Sequence, residues 1–255
     1  MLRRYFIVAF ALCWAITLVT ALQAQGLIAL RILPPPTQWL IGFAPVLAAW
    51  WVTRRTDQRP VWKAAARSFR AAPRWYAFAV LVPWVILATA FPLNQVLGRP
   101  EPQLAASPSL LLFGVVWLVL AWGEEAGWRA FALPRLVASR GFWRGTTLLG
   151  VLWCVWHYPK LVSSPYLQLN AEGLRAIALF SLQIVIANYL ICWLYLRSGS
   201  VGAATVFHTS WNLVSTVYSF AAMDIAMTGL LALVTVTALG LDHARGRLAA
   251  PAPAI

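Results

Sequence analysis

Between Tyr5 and Leu30 the chain offers only two strongly polar side chains, Gln23 and Gln25, and comparable apolar runs recur almost to its end. A run of ~18–20 apolar residues is what a helix needs to cross a bilayer. Within hydrocarbon the backbone must satisfy its own N–H and C=O groups, which a helix does. These runs constrain the fold more than any motif. Composition agrees: 61% of the 255 residues are hydrophobic and 11% charged, too little charge to clothe a soluble domain of this size. The sequence predicts an all-α, polytopic transmembrane helix bundle with no room for a separate soluble domain.

Apolar runs and breaks place about eight helices near 5–30, 38–53, 75–97, 109–132, 145–159, 176–196, 201–221 and 225–241. The breaks are Pro34-Pro35-Pro36, Arg99-Pro100-Glu101-Pro102, Ser107-Pro108 and Ser163-Ser164-Pro165. The first run is too long for a signal-peptide core and shows no cleavage site, so it reads as a retained helix. Residues 1–108 form an N-terminal set of transmembrane helices with a basic cytoplasmic segment at 54–74. Residues 109–221 form a core, and 222–255 supply a last helix and a loose tail from Ala249.

The net charge is +13. The basic residues flank apolar runs in short segments, which argues against nucleic acid and for an anionic inner leaflet as partner. With the N-terminus in the cytoplasm, Arg3, Arg4, Arg54, Arg55, Arg59, Lys63, Arg67, Arg70, Arg74, Arg135, Arg140, Arg144, Arg197, Arg245 and Arg247 fall inside. Arg31, Arg99, Lys160 and Arg175 fall outside. That bias predicts both termini in the cytoplasm. Within 59–74, Lys63, Arg67, Arg70 and Arg74 recur on one helical side and Trp62, Ala66 and Phe69 on another. The pattern fits a basic amphipathic helix in the inner interface, or a solvated basic loop that fixes topology. Cys13, Cys154 and Cys192 lie in apolar runs at no metal-like spacing and imply no disulfide framework.

Of the acids and histidines, four, Glu124, Glu125, His157 and His208, fall inside predicted spans, and Asn212 joins them. Such groups are costly in hydrocarbon and need a partner or a role. Glu124 stands eleven residues from Arg135 and His208 eleven from Arg197, each ~16 Å along a helix. His157 stands thirteen from Arg144, or ~20 Å. Three helices thus carry polar groups to similar depth, as one buried site requires. Glu125 and Arg129 are i,i+4 and suited to an ion pair, which leaves Glu124 to point elsewhere. His208 and Asn212, also i,i+4, share a face. Gly123 and Gly127 allow a neighbouring helix to approach closely.

A carboxylate and an imidazole can together polarise water, while a His and an Asn on one face can donate to an oxyanion. Glu124, His157 and His208 also make three N/O donors of the kind catalytic zinc uses, and the residues alone leave both readings open. Taken singly, each has a structural reading. Glu125 with Arg129 is a structural ion pair, His157 an interface-belt residue, and His208 with Asn212 interhelical glue.

Glu124-Glu125-Ala126-Gly127-Trp128-Arg129 resembles the EExxxR motif of the CPBP-family intramembrane proteases, the group that contains the CAAX prenyl endopeptidases. It runs on through Phe131, Leu133, Pro134, Arg135 and Leu136. Trp153-Cys154-Val155-Trp156-His157 is similar to the second motif, an aromatic residue four before a His. His208-Thr209-Ser210-Trp211-Asn212 is similar to the HxxxN motif. All three occur in order within 109–221. Ala130 stands where many members have Gly, and Trp153 where others often have Phe.

The resemblance implies an intramembrane endopeptidase. Glu124 would be the general base acting with His157. His208 and Asn212 would form the oxyanion site, with Glu125 and Arg129 in support. No cofactor is favoured; zinc, if present, would sit on Glu124, His157 and His208. The implied substrate is a membrane-associated peptide or protein, lipidated in CAAX-type processing or not in bacteriocin maturation and self-immunity. High Arg over Lys and abundant Ala suggest a bacterial cytoplasmic membrane. The rival readings are a proton-coupled transporter, against which the lack of an inverted repeat counts, and a non-catalytic scaffold, against which the intact motif set counts.

Overall fold

The computed structural model describes residues 1–28, 35–98, 109–163, 170–218 and 224–249. Arg31, Pro34, the Arg99 to Pro102 break, Ser107-Pro108, Ser164-Pro165 and the tail beyond Ala249 lie outside those residues. Within them the chain forms nine α-helices. They are α1 (Leu2–Ala24), α2 (Ala44–Thr53, led in by a 3₁₀ segment Pro35–Phe43), α3 (Gln58–Ala66), α4 (Pro73–Val96) and α5 (Leu110–Gly127). They continue with α6 (Leu133–Val162), α7 (Ala171–Ser198), α8 (Val201–Val217) and α9 (Ile225–Ala244).

Five stretches are long and apolar enough to cross a membrane: α1, α4, the run from Leu110 to Val162, α7 and α9. The outward faces are apolar too, with Leu111 85% and Val96 83% exposed, as lipid contact demands. The chain is an all-α, multi-pass membrane bundle.

Two segments differ from the sequence expectation. Residues 133–144 were expected to link two helices but are mostly helical, the first part of α6. Pro134 lies in the first turn of α6, where its missing N–H costs nothing. The link is reduced to Gly141, whose φ of +74° breaks the helix in two and favours glycine.

The basic segment 59–74 is likewise not one helix. α3 ends at Ala66 and α4 begins at Pro73, because the residue before a proline is driven to extended geometry; Ala72 has ψ +141°. The apolar side of α3 faces protein. Trp62 is buried and its Nε1 donates to Ala126 O at 3.0 Å, while Trp122 Nε1 donates to Ala66 O at 3.0 Å. The connecting stretch clamps the start of α8. Ser68 O accepts from Gly202 N (3.1 Å) and Ser200 Oγ (2.9 Å), and Ser68 Oγ accepts from Val201 N (3.1 Å). That clamp fixes the helix that carries His208.

The glycine pair on α5 acts as its spacing predicts. A Cβ on Gly123 would lie 2.6 Å from Gly42 O, and one on Gly127 2.6 Å from Pro45 O. The 3₁₀ segment and α2 therefore pass directly against the turn that carries the two glutamates. On the far side α5 packs on α8, and α6 packs on α1 and α7. An aromatic wall closes the rear: Trp128 meets Tyr5 and Trp156 edge-on at 5.7 and 5.8 Å, and Trp156 Nε1 donates to Ala9 O at 3.2 Å.

Candidate functional site

Consecutive residues on a helix point ~100° apart, and the two glutamates enter different environments. Glu125 is fully buried. Its Oε1 accepts from Arg129 Nη1 at 3.0 Å and from His208 Nδ1 at 2.8 Å. Arg129, also fully buried, donates through Nη2 to Asn188 Oδ1 at 3.2 Å. Asn188 Nδ2 in turn donates to Thr146 O at 2.9 Å. One polar chain therefore ties α8, α5, α7 and α6 together. Burying two opposite charges is tolerable only when they are paired and hydrogen-bonded; here Glu125 Oε1 and both Arg129 Nη atoms are engaged, while Glu125 Oε2 and Arg129 Nε have no protein partner among the described residues. Arg129 sits in a π-helical turn, Trp128–Ala132. Such turns widen the helix and are frequent at functional sites.

Glu124 turns the other way. Its Oε2 accepts from Trp153 Nε1 at 2.9 Å, and among the described residues Oε1 has no protein hydrogen bond. Trp153 is the hub of the site. The Arg129 guanidinium lies 4.4 Å over its ring, a cation–π contact. The imidazoles of His157 and His208 meet it edge-on at 5.5 and 5.4 Å. The Glu125–Arg129 pair thus supports Glu124 indirectly, through the indole under the guanidinium.

The histidine hydrogen bonds constrain their tautomers. His157 Nδ1 lies 2.8 Å from Trp153 O. A carbonyl only accepts, so Nδ1 carries the proton and Nε2 of the neutral ring has the lone pair. His208 Nδ1 donates to the Glu125 carboxylate in the same sense. For Nε2 of His208 to donate as well, both ring nitrogens must be protonated.

A cavity of about 250 Å³ opens between α6, α7 and α8. His157, His208 and Asn212 line it with Trp153, and Phe180 and Ile184 give it an apolar side. His157 therefore faces this cavity. Glu124 lies one layer deeper, 8% exposed, behind the Trp153 indole. The structure brings all six sequence candidates together: Glu124, Glu125, Arg129, His157, His208 and Asn212.

Two contributors were missed in the sequence. Trp153 was read only as a motif aromatic, although its indole N–H is a donor beside an acidic pair. Asn188 was passed over, although a strong polar group in the apolar run 176–196 is itself a signal. Among the described residues no three of His, Cys, Asp or Glu gather closely enough to hold a metal ion.

Residues 106–214 match the family model of type II CAAX prenyl endopeptidase Rce1-like proteins. CAAX prenyl protease 2 of Methanococcus maripaludis is 29% identical over 99 residues, which is 38% of this chain and 36% of the relative. The chain therefore spans little more than a third of the curated relative it matches. The family-model match includes Glu124, Glu125, Arg129, His157, His208 and Asn212, and over that stretch the chain is similar to that family.

Proposed function

We propose that the protein is an intramembrane endopeptidase that hydrolyses a peptide bond of a membrane-associated peptide or protein, using water activated by Glu124 and His157. The observation that carries this reading is the cavity itself. Three polar side chains on two helices, His157, His208 and Asn212, line it, and the Glu124 carboxylate lies directly behind the Trp153 indole that lines it with them.

In this mechanism water at the cavity floor gives a proton to Glu124 while its oxygen attacks the peptide carbonyl carbon. His157, with its lone pair on Nε2, orients that water. Negative charge builds on the carbonyl oxygen, where Asn212 Nδ2–H donates to it, joined by His208 when its ring is doubly protonated. The C–N bond then breaks, and the proton taken by Glu124 passes to the leaving amine. Glu125 fixes the His208 ring, and Trp153 fixes Glu124. This reading is metal-free, and Asn212 favours it, since an amide is a good oxyanion donor and a poor zinc ligand.

The substrate enters from a low-dielectric space with an apolar wall, which suits an extended apolar segment or a lipid-modified end. CAAX-type processing and maturation of an unmodified peptide both fit that chemistry, in a bacterial cytoplasmic membrane with both termini inside. The test is to incubate protein reconstituted in lipid with matched prenylated and unprenylated peptide libraries and to read the fragments by mass spectrometry. Cleavage at a defined bond supports the proposal. Intact libraries with folded protein oppose it.

A further inference from the structure

A second cleft, sharing no lining residue with the first, lies where the start of α4 meets the ends of α7 and α9. Its volume is about 490 Å³. Four guanidiniums reach it, from Arg74, Arg197, Arg245 and Arg247, against one carboxylate, Asp242. Asp242 is buried. Its Oδ2 meets Arg197 Nε at 2.9 Å and accepts from Trp193 Nε1 at 2.8 Å, and Oδ1 faces Arg247 Nη1 at 3.6 Å. The carboxylate holds two guanidiniums in place yet neutralises the charge of only one, so the rim keeps a net charge of +3. Arg74 and Arg245 are exposed and, among the described residues, make no salt bridge.

Below the rim the cleft turns apolar. Trp193 packs edge-on against Trp75 at 5.6 Å and at a tilt against Phe78 at 5.4 Å, forming an aromatic wall. Leu233 and Leu241 of α9 continue it, 63% and 53% exposed on the outside of the bundle. The upper end calls for an anion with several acceptor oxygens, and the lower end for hydrocarbon. A soluble anion would use only the first and a neutral lipid only the second. We infer that this cleft binds an anionic phospholipid, with its phosphate among Arg74, Arg197, Arg245 and Arg247 and an acyl chain along Phe78, Leu233 and Leu241. Guanidinium suits the first contact because its donors match phosphate in pairs, and tryptophan suits the boundary because it is apolar with one polar edge.

The experiment is a native mass-spectrometry titration of the full chain in neutral detergent, with phosphatidylglycerol, phosphatidylcholine and glycerol phosphate as separate probes. Phosphatidylglycerol should be retained in preference to the other two. A basic residue at a membrane surface is worth about five-fold in binding, so the Arg74→Gln/Arg245→Gln double variant should weaken retention by ~30-fold. The Arg54→Gln/Arg55→Gln double variant, which removes the same charge from another part of the surface, should bind like wild type. Leu233→Ala, which trims the apolar lining without placing a charge on a membrane-spanning helix, should also weaken phosphatidylglycerol retention. Equal losses in the two double variants would reduce the effect to diffuse attraction and overturn the site. So would unchanged retention in Arg74→Gln/Arg245→Gln, or glycerol phosphate binding as tightly as the lipid. None of these readings depends on catalysis.

Discussion

The indole Nε1 of Trp153 donates to Oε2 of Glu124 across 2.9 Å, joining α6 to α5 behind the wall of the cavity. The motif aromatic is therefore a hydrogen-bond donor to the candidate base as well as a packing element. Trp153→Phe keeps a ring beside both histidines and under Arg129 but removes the donor. A hydrogen bond to a charged group contributes ~1.5–3 kcal/mol, so the variant should melt lower. It should also turn over more slowly, by up to ~10²-fold if the carboxylate shifts by an ångström. Melting and turnover both equal to wild type would show that the bond matters to neither.

Arg129 connects the two halves of the site, paired with Glu125 and stacked over Trp153. Arg129→Ala strands a fully buried carboxylate, which typically costs ~3–5 kcal/mol. Asn188→Ala leaves the ion pair intact and removes one hydrogen-bond partner of Arg129, for ~1–3 kcal/mol. Melting in detergent should therefore rank wild type above Asn188→Ala and Asn188→Ala above Arg129→Ala. The reverse order would contradict the polar chain drawn here.

Gly127 tests how closely α2 must approach. An added Cβ would meet the Pro45 backbone, and overpacking of this kind costs ~1–3 kcal/mol. Gly240 on α9 has open space at the same position, so Gly240→Ala should be neutral or stabilising by up to ~1 kcal/mol. Similar melting shifts for the two variants would mean that the approach at Gly127 relaxes without cost.

Much of the site was legible in the sequence because the membrane makes polar residues conspicuous. Glu124, Glu125, His157, His208 and Asn212 stood out against apolar runs, and helical spacing paired Glu125 with Arg129 correctly. Spacing along one helix says nothing about the facing helix. That is why the bond from Glu125 to His208 and the bond from Trp153 to Glu124 were not legible; each depends on how two helices are rotated against each other. The link between the helices expected at 109–132 and 145–159 was drawn too wide for a related reason. Charged Arg135, Arg140 and Arg144 look like loop in a hydropathy profile, yet a helix outside an apolar setting carries charge freely, and the break narrows to Gly141.

Asn212 separates the metal-free mechanism from a zinc enzyme. As an oxyanion donor, Asn212→Ala should cut turnover by ~10²–10³-fold with melting and metal content unchanged. Elemental analysis of active, chelator-treated protein should find no stoichiometric zinc. One zinc per chain, with activity lost on its removal and restored by zinc alone, would overturn the metal-free account.

The most direct test of the central claim is the cleavage rate of Glu124→Gln beside wild type in the reconstituted peptide assay. The amide keeps the shape of the side chain and can still accept from Trp153 Nε1, but it cannot take a proton from water. The account predicts fragments at background level from a protein that melts within about 2 °C of wild type, less than ~1 kcal/mol at this size. Cleavage by Glu124→Gln at the wild-type rate would contradict it.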